Sequence, residues 1–174
     1  MAGQEFLLSL HDLRRTPGSR GEFAFEAAFA DTIVTGLTTW PAGRPVAVTG
    51  ALESAGDGVL VTARAAVRLD AQCSRCLVPF AQDVVVDLTE LYVYPEHALE
   101  YDDEDVSLIE AASVDLAGPV RDAVILEQPL IPLCRPDCRG LCQCGADLNA
   151  DPQHDHGGVH DARWSALAQW GRMS

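Results

Sequence analysis

The sequence predicts an α+β domain: an antiparallel β-meander, partly barrel-like, with two or more helices and a cysteine-rich segment. Three observations support this fold class. Strand-like patterns fill residues 44–94, a helical repeat begins near residue 115, and six cysteines occur at short spacings. A length of 174 residues, of which 48% are hydrophobic, is sufficient for the core of one domain of ordinary size.

The meander is predicted from three segments rich in valine, leucine and tyrosine. Gly56-Asp57-Gly58 joins the first two segments, and it is a strong hairpin signal because glycine tolerates positive φ. The first cysteine pair lies in the turn between the second and third segments. An earlier stretch, EFAFEAAFA at residues 22–30, also favours a strand. The three segments are RPVAVTGALESAG, DGVLVTARAAVRLDAQC and FAQDVVVDLTELYVYP.

A first helix is predicted at residues 115–127. Leu116, Val120 and Val124 recur there at helical spacing, Asp115 is a candidate cap, and two prolines shortly after the segment prevent its continuation. This helix leads directly into the main cysteine cluster.

A second helix is predicted at residues 161–170, where Trp164 and Leu167 share one face. We interpret its tryptophans as core anchors rather than as groups that stack on a ligand. The expected organisation is a sheet and helix core at residues 1–132. A cysteine- and histidine-rich segment at residues 133–174, which includes the second helix, is expected to pack on the same domain.

The compartment decides how the cysteines are interpreted. Residues 1–10 have no cationic start and only a short apolar run, so they do not resemble a signal peptide. No stretch approaches the length needed to cross a bilayer. We therefore expect a cytoplasmic protein, in which clustered cysteines bind zinc more often than they form disulfides.

The charge distribution disfavours broad attraction to nucleic acid. The chain has 12 basic and 26 acidic residues, which gives a net charge of -14. Residues 1–76 hold seven arginines and eight acids, whereas residues 77–174 hold five arginines and eighteen acids. A cationic surface patch that binds bare RNA could therefore form only from residues in the first half of the chain. A basic protein partner suits the second half better. The arginines available for such a patch are Arg14, Arg15, Arg20, Arg64, Arg68 and Arg75.

Short cysteine spacings predict zinc, because a tight turn can direct two side chains at one tetrahedral ion. Two four-ligand sites follow naturally from the spacings. A first site would tie the turn between two strands to the end of the first helix, and a second, less certain site would be local. The first consists of Cys73, Cys76, Cys134 and Cys138, and the second of Cys142, Cys144, His154 and His156.

The sequence is compatible with other groupings and chemistries. Cys134, Cys138, Cys142 and Cys144 could surround one ion as a local knuckle, which would leave the first pair free. A redox role for that pair lacks the strand-to-helix setting that lowers a thiol pKa. The loop HDHGGVH suggests another possibility, a metal-dependent hydrolase.

The hydrolase would use His154, His156 and His160, but these lie in a Gly/Asp/Pro-rich loop with no adjoining strand to hold them. A histidine-bearing loop without a bound metal is a further reading of the same residues. No other motif in the chain indicates catalysis.

Five blocks run in order over about residues 20 to 170: CSRCLVPF, ELYVYPE, an acidic stretch, VDLAGPVRDAVILEQPLIPLCRPDCRGLCQCGADLN and DARWSAL. Together they resemble the YceD family, the large ribosomal RNA subunit accumulation proteins. The family's usual knuckle is C-x-x-C-G, whereas Cys142-Gln143-Cys144-Gly145 is one residue shorter. Where relatives often carry a later C-x-C, this chain has His154-Asp155-His156, which preserves ligand chemistry.

The resemblance implies a non-enzymatic bacterial protein that is needed for accumulation of large-subunit rRNA. We expect structural zinc and no membrane or small-molecule partner. The expected partner is a ribosomal protein or assembly factor, with rRNA in a pre-ribosomal particle as a further candidate. The acidic stretch of residues 100–105 is most simply a solvated loop, and we expect it to contact that partner. Its candidate contact residues are Asp102, Asp103, Glu104 and Asp105.

Overall fold

The computed structural model describes residues 5–100 and 106–155. Within these ranges there are nine strands, one 3-10 helix and one α-helix, α1. The 3-10 helix spans Pro95–Glu100 and α1 spans Ala117–Glu127. The strands are β1 Leu7–Ser9, β2 Arg20–Ala28, β3 Ile33–Thr35, β4 Thr38–Trp40, β5 Pro45–Ser54, β6 Gly58–Gln72, β7 Pro79–Val93, β8 Ser107–Leu108 and β9 Ser113–Asp115.

Seven of these strands form one sheet, in which β2, β5, β6 and β7 are antiparallel neighbours in that order. The β3-β4 hairpin pairs with the far end of β6, and β8 adds a short parallel pairing at the end of β7. A separate small sheet joins β1 to β9. Strands β6 and β7 pair along 15 positions each, so their connecting turn lies at one extreme end of the sheet.

The predicted fold class is wrong in two respects. The described structure is mostly β, with one α-helix, so the expectation of an α+β domain with two or more helices is not met. The expected second helix, residues 161–170, lies outside the described residues. The sheet also does not close into a barrel, because β2 and β7 do not pair with each other.

The additional β content comes from five strands of only two or three residues, β1, β3, β4, β8 and β9. Such strands are too short to show alternation, and each depends on a partner brought to it by the fold. Leu7, for example, pairs with Asp115, more than a hundred positions along the chain. These pairings are tertiary features that local periodicity does not encode.

The core lies on one face of the sheet. Alternate residues of β5 and β6 point into it, and Val46, Val48, Val59 and Val61 are fully buried. Helix α1 packs on β7 and contributes Val120 and Val124 to the same core. The N-cap position of α1 is Leu116, not the predicted Asp115, and no side-chain hydrogen bond caps the helix from it. The Asp115 carboxylate, one residue earlier, accepts a 2.8 Å hydrogen bond from the Ala117 backbone N–H, one of the open donors of α1. These contacts place the segment after α1 beside the β6-β7 turn. The remaining large buried side chains include Trp40, Leu69, Val93, Val114, Leu116 and Pro132.

Cross-strand ion pairs lie on the opposite, solvent-facing side of the sheet. Three arginines lie directly opposite an acid on the next strand, and each pair is within 3.2 Å. Such exposed pairs contribute little stability individually, but they neutralise the arginines locally. The pairs are Arg20 with Glu53, Arg64 with Asp87, and Arg68 with Asp83.

No helix among the described residues is both long and apolar enough to cross a membrane.

Candidate metal centre

The β6-β7 turn presents the first cysteine pair. The Cys73 N–H donates to the Val78 carbonyl at 3.0 Å, and the Leu77 N–H donates back to the Cys73 carbonyl at 2.9 Å. Leu77 has φ of +61°, a left-handed conformation that non-glycine residues seldom adopt. This tight local fold places Cys73 and Cys76 on one side of the turn, with both side chains buried.

The segment after α1 is fastened to this turn by its backbone. The Pro132 carbonyl accepts two hydrogen bonds from Ser74, one from the N–H at 2.9 Å and one from the hydroxyl at 2.6 Å. The Arg75 guanidinium donates to the Cys138 carbonyl at 2.7 Å. The two residues between the first cysteines therefore bind just before and within the second pair, at Pro132 ahead of Cys134 and at the carbonyl of Cys138.

Gly140 permits the closest backbone approach in the site. Its φ is +82°, and a Cβ at this position would lie 2.9 Å from the Arg75 carbonyl oxygen. The same carbonyl accepts a 3.0 Å hydrogen bond from the Leu141 N–H. A side chain here would need both a strained backbone and a displaced partner, so glycine is required for this contact.

Asn149 fastens the far end of the cysteine-rich segment. Its side-chain oxygen accepts hydrogen bonds from the Arg139 N–H and from the Arg135 guanidinium, both at 2.8 Å. Its amide nitrogen lies 3.7 Å from the Cys138 sulfur and donates to it. A polar contact to a ligand sulfur of this kind orients the ligand, as outer contacts do in metal sites.

The four cysteine sulfurs of the first predicted site converge. All lie within 4.8 Å of one another, with 3.8 Å between the Sγ atoms of Cys73 and Cys138 and 3.7 Å between those of Cys76 and Cys134. A tetrahedral ion with zinc–sulfur bonds of about 2.3 Å would hold its sulfurs about 3.8 Å apart. The six cysteines are free thiols. The donor set and its dimensions therefore fit a tetrahedral metal ion.

Hydrogen bonding and burial give the thiols of this cluster different pKa values. The pKa of Cys73 falls to about 6, because the backbone N–H of Cys134, followed by that of Cys76, stabilises the thiolate. Burial, reinforced by the neighbouring thiols, raises the pKa of Cys134 to about 12. Without a cation, the cluster therefore favours a thiolate at Cys73 and a neutral thiol at Cys134. A bound divalent ion would favour four thiolates, since a metal deprotonates coordinating thiols.

A second cluster contains Cys142, Cys144 and His154, whose ligand atoms also lie within 4.8 Å of one another. The Cys144 sulfur is 3.2 Å from Nε2 of His154. The cluster lies on a turn closed by a 2.8 Å bond from the Cys142 N–H to the Ala146 carbonyl, and Cys144 is exposed. These three groups can also hold a metal ion, but they are less enclosed than the first four.

The structure thus groups the cysteines as four and two, with Cys142 and Cys144 beside His154 instead of in a knuckle with Cys134 and Cys138. The predicted ligand His156, the hydrolase candidate His160 and the acidic contact residues lie outside the described residues. Those contact residues are Asp102, Asp103, Glu104 and Asp105.

Sequence reasoning missed the residues that position the ligands. Ser74 and Arg75 carried a signal, since they are the only residues between two closely spaced cysteines, where side chains are forced against whatever completes the site. Gly140 followed a cysteine and an arginine, and a glycine just past a ligand is typical of a tight turn. Asn149 gave no comparable signal, because its partners at residues 135, 138 and 139 are specified only by the fold.

Comparisons with known proteins find one family model and several relatives that are similar to this chain. A family model described as large ribosomal RNA subunit accumulation protein YceD matches residues 61–170. Uncharacterized proteins of Mycobacterium bovis and Mycobacterium tuberculosis are each 43% identical over 121 residues, which is 68% of this chain and 58% of each relative. An uncharacterized protein of Mycobacterium leprae is 34% identical over 128 residues, which is 72% of this chain and 58% of the relative.

No solved structure matches the chain. The matched stretch spans less than two thirds of the length of these relatives. The family match covers both halves of the four-cysteine cluster, together with most of β6 and all of β7 and α1. This chain therefore belongs to the YceD family of large ribosomal RNA subunit accumulation proteins.

Proposed function

We propose that this protein is a non-enzymatic accessory factor in ribosome biogenesis that supports accumulation of large-subunit rRNA. In this proposal a structural zinc ion is bound by Cys73, Cys76, Cys134 and Cys138. The observation that carries it is the closed cluster of four converging sulfurs, with Cys73 and Cys138 almost fully buried. Structural zinc uses four protein ligands, whereas catalytic zinc keeps one position for water or substrate.

The position of the cluster indicates what such an ion would do. Cys76 and Cys134 are 58 positions apart, and they belong to the β6-β7 turn and to the segment that follows α1. A metal between them would fix the end of the long hairpin to the exit of the helix. Because a preformed site seldom exists in an unfolded chain, binding of this ion would contribute directly to folding.

The same contacts support our proposal that the chain folds as one domain, with residues 1–132 as its core and residues 133–174 packed on it. Arg75, in the core part, makes the hydrogen bonds to Cys138 and Leu141 described above.

We further propose that the partner is a basic ribosomal protein or assembly factor, met by Asp102, Asp103, Glu104 and Asp105. The charge balance of the second half supports this choice. So do the arginines of the first half, since most of those available for RNA are already engaged. Arg15 pairs with Glu96, Arg75 binds the Cys138 carbonyl, and Arg20, Arg64 and Arg68 pair across strands.

Metal analysis of the full chain tests the zinc part of this proposal. We expect zinc in the purified protein, with X-ray absorption showing a component with four sulfur ligands and no oxygen. A site with an open position occupied by water would instead support the hydrolase alternative at the histidine loop.

A genetic experiment tests the cellular role. Loss of the gene should lower large-subunit rRNA relative to small-subunit rRNA, and the wild-type chain should restore the ratio. We expect Cys73→Ser to fail in this rescue at equal protein abundance. Restoration by a metal-free Cys73→Ser protein would contradict a required zinc site, while leaving the role in rRNA accumulation intact.

A capture experiment tests the partner. Pre-ribosomal association should fall when the four acids at residues 102–105 are replaced by Asn or Gln. The matched control makes the same change of charge at four exposed acids elsewhere: Asp12, Glu22, Glu26 and Asp31. Normal association of the first variant, combined with loss of capture after nuclease treatment, would favour direct RNA contact instead.

A further inference from the structure

The second cluster, Cys142, Cys144 and His154, begins on a turn that backbone hydrogen bonds hold in shape. The Cys142 N–H donates to the Ala146 carbonyl and the Gly145 N–H donates to the Cys142 carbonyl, both at 2.8 Å. Gly145 has φ of +89°, a conformation that glycine adopts without strain, so the chain can reverse immediately after Cys144. The two thiols therefore lie on one tight turn, the arrangement in which paired cysteines share an ion.

Another turn brings His154 to these thiols. The His154 N–H donates to the Asp151 carbonyl at 3.2 Å, which closes the turn. The Arg139 guanidinium donates to the Pro152 carbonyl, also at 3.2 Å, and it ties this turn to the residue that follows Cys138. The position of the imidazole is therefore set by the segment that also carries part of the four-cysteine cluster.

The two nitrogens of the imidazole face different partners. Nε2 of His154 lies 3.2 Å from the Cys144 sulfur, whereas Nδ1 lies 3.9 Å from Oδ2 of Asp151. The other oxygen of that carboxylate, Oδ1, accepts a 3.2 Å hydrogen bond from the Gln153 N–H. In metal sites, a carboxylate beside the second ring nitrogen of a histidine ligand orients the ring and fixes its tautomer. Asp151 is placed to do this, with Nε2 directed at the thiols.

The spacing of the donor atoms suits a zinc ion. With zinc–sulfur bonds of about 2.3 Å and zinc–nitrogen bonds of about 2.0 Å, tetrahedral geometry separates the sulfur and nitrogen atoms by about 3.5 Å. The 3.2 Å between Cys144 and His154 is close to this value, and all three ligand atoms of the cluster lie within 4.8 Å of one another. Sulfur and imidazole donors favour zinc over calcium and magnesium, which take oxygen ligands.

We propose that Cys142, Cys144 and His154 bind a second zinc ion, with Asp151 as the residue that positions the histidine. This site is separate from the four-cysteine cluster of the proposed function and does not depend on it. The described residues supply three ligands, and a tetrahedral ion takes a fourth from water or from another part of the chain. Because Cys144 is exposed and the His154 side chain is 25% exposed, the second ion organises a surface turn instead of the core.

NMR of 113Cd on the full-length protein, reloaded with that isotope, tests the site. Cadmium replaces zinc at such ligands, and its signal lies further downfield when more sulfur atoms bind it. We expect two signals, of which the one at higher field shows scalar coupling to the ring protons of His154. A single signal, or two signals without this coupling, would overturn the proposal.

Two histidine variants assign the higher-field signal. His154→Ala should remove or move it and leave the four-sulfur signal in place, which also reports that the variant is folded. His11→Ala is the matched control at an exposed histidine outside both clusters, and it should change neither signal. A higher-field signal that is the same in His154→Ala and in the wild type would contradict ligation by His154.

Native mass spectrometry provides a count that needs no variant. After incubation with zinc and removal of the excess, we expect two zinc ions per wild-type chain. A count of one would overturn the second site and leave the four-cysteine site unaffected.

Asp151→Asn tests the positioning residue. The amide keeps an oxygen for the Gln153 N–H but removes the negative charge beside Nδ1 of His154. We expect the zinc affinity of the second site to fall by about tenfold in competition with a chromophoric chelator, and the ring nitrogen shifts of His154 to change. Asp137→Asn removes a charge from a side chain in the same segment that is 83% exposed, and it should change neither. Equal affinity and equal shifts in Asp151→Asn and the wild type would exclude a positioning role.

Discussion

The two cysteine clusters use similar ligands but differ in how the protein supports them. The first joins distant parts of the chain, is largely buried, and is surrounded by hydrogen bonds from Ser74, Arg75 and Asn149. The second lies within a short stretch of sequence, with an exposed Cys144 and a hydrogen bond between Cys144 and His154. Ligand chemistry alone thus does not set the role of a site. Enclosure and the separation of its ligands along the chain decide whether a metal there would organise the fold.

The largest expected difference between the clusters concerns ligand removal. Cys73→Ser should release the metal of the first cluster and lower Tm by more than about 10 °C, because the hairpin end then loses its tie to the segment after α1. Cys144→Ser should lower Tm by no more than about 3 °C, since its ligands are close in sequence. Thermal unfolding with parallel metal analysis measures both. Equal losses in the two variants would mean that the clusters are equally structural.

The clusters should also differ in how fast a chelator removes their metal. We expect a colorimetric chelator to take metal from the second cluster first, because an exposed site admits the competing ligand directly, whereas the first cluster must open. Stopped-flow traces on protein loaded at both clusters should show two phases. Cys144→Ser should remove the fast one, and a single phase in wild type would argue against a difference in access.

A pair of glycine substitutions compares the backbones around the two clusters. Gly140 and Gly145 both have positive φ, at +82° and +89°, so alanine strains either position by about 1 kcal/mol. Only at Gly140 would the new Cβ meet a neighbour, the Arg75 carbonyl oxygen at 2.9 Å, whereas at Gly145 nothing lies within 4 Å. Gly140→Ala should therefore cost about 1–2 kcal/mol more than Gly145→Ala in chemical denaturation. Equal costs would show that the approach of Gly140 to the β6-β7 turn is not needed.

The smallest expected effect concerns two arginines. The Arg75 bond to the Cys138 carbonyl is 2.7 Å long and partly buried, whereas the Arg139 bond to the Pro152 carbonyl is 3.2 Å long and exposed. Arg75→Ala should reduce the free energy of unfolding by about 1 kcal/mol, and Arg139→Ala by less than about 0.5 kcal/mol. Urea denaturation can measure both losses of unfolding free energy. A larger loss of unfolding free energy in Arg139→Ala would mean that the exposed bond stabilises the protein more than the partly buried one.

The sequence predicted the long elements better than the short ones, for a physical reason. Strands β5, β6 and β7 have 10 to 15 residues, enough for alternation to be visible, and the helix near residue 115 has apolar positions at clear helical spacing. The pairing of Leu7 with Asp115, and the failure of β2 to close on β7, depend on global geometry. Alternation gives the face of a strand but not the curvature of a sheet.

The candidate site was predictable in its ligands but not in their grouping. Short spacing indicates which cysteines share a turn, and both groupings of the second pair satisfied that condition. What distinguishes them is the meeting of two turns through Ser74 and Pro132, together with the close approach of Gly140 to Arg75. Those contacts join residues that are more than fifty positions apart, so no local pattern could reveal them.

The tie between the β6-β7 turn and the segment after α1 has a consequence for a chain that is cut. A protease acting between residues 100 and 106 would produce two polypeptides, with Cys73 and Cys76 on one and Cys134 and Cys138 on the other. A metal shared by the four sulfurs would hold the pieces together as a non-covalent complex, supported by the β1-β9 and β7-β8 pairings. The nicked protein would migrate as one species in native electrophoresis and separate under denaturation with a chelator. The bound metal would then keep the two fragments associated after the backbone between them is cut.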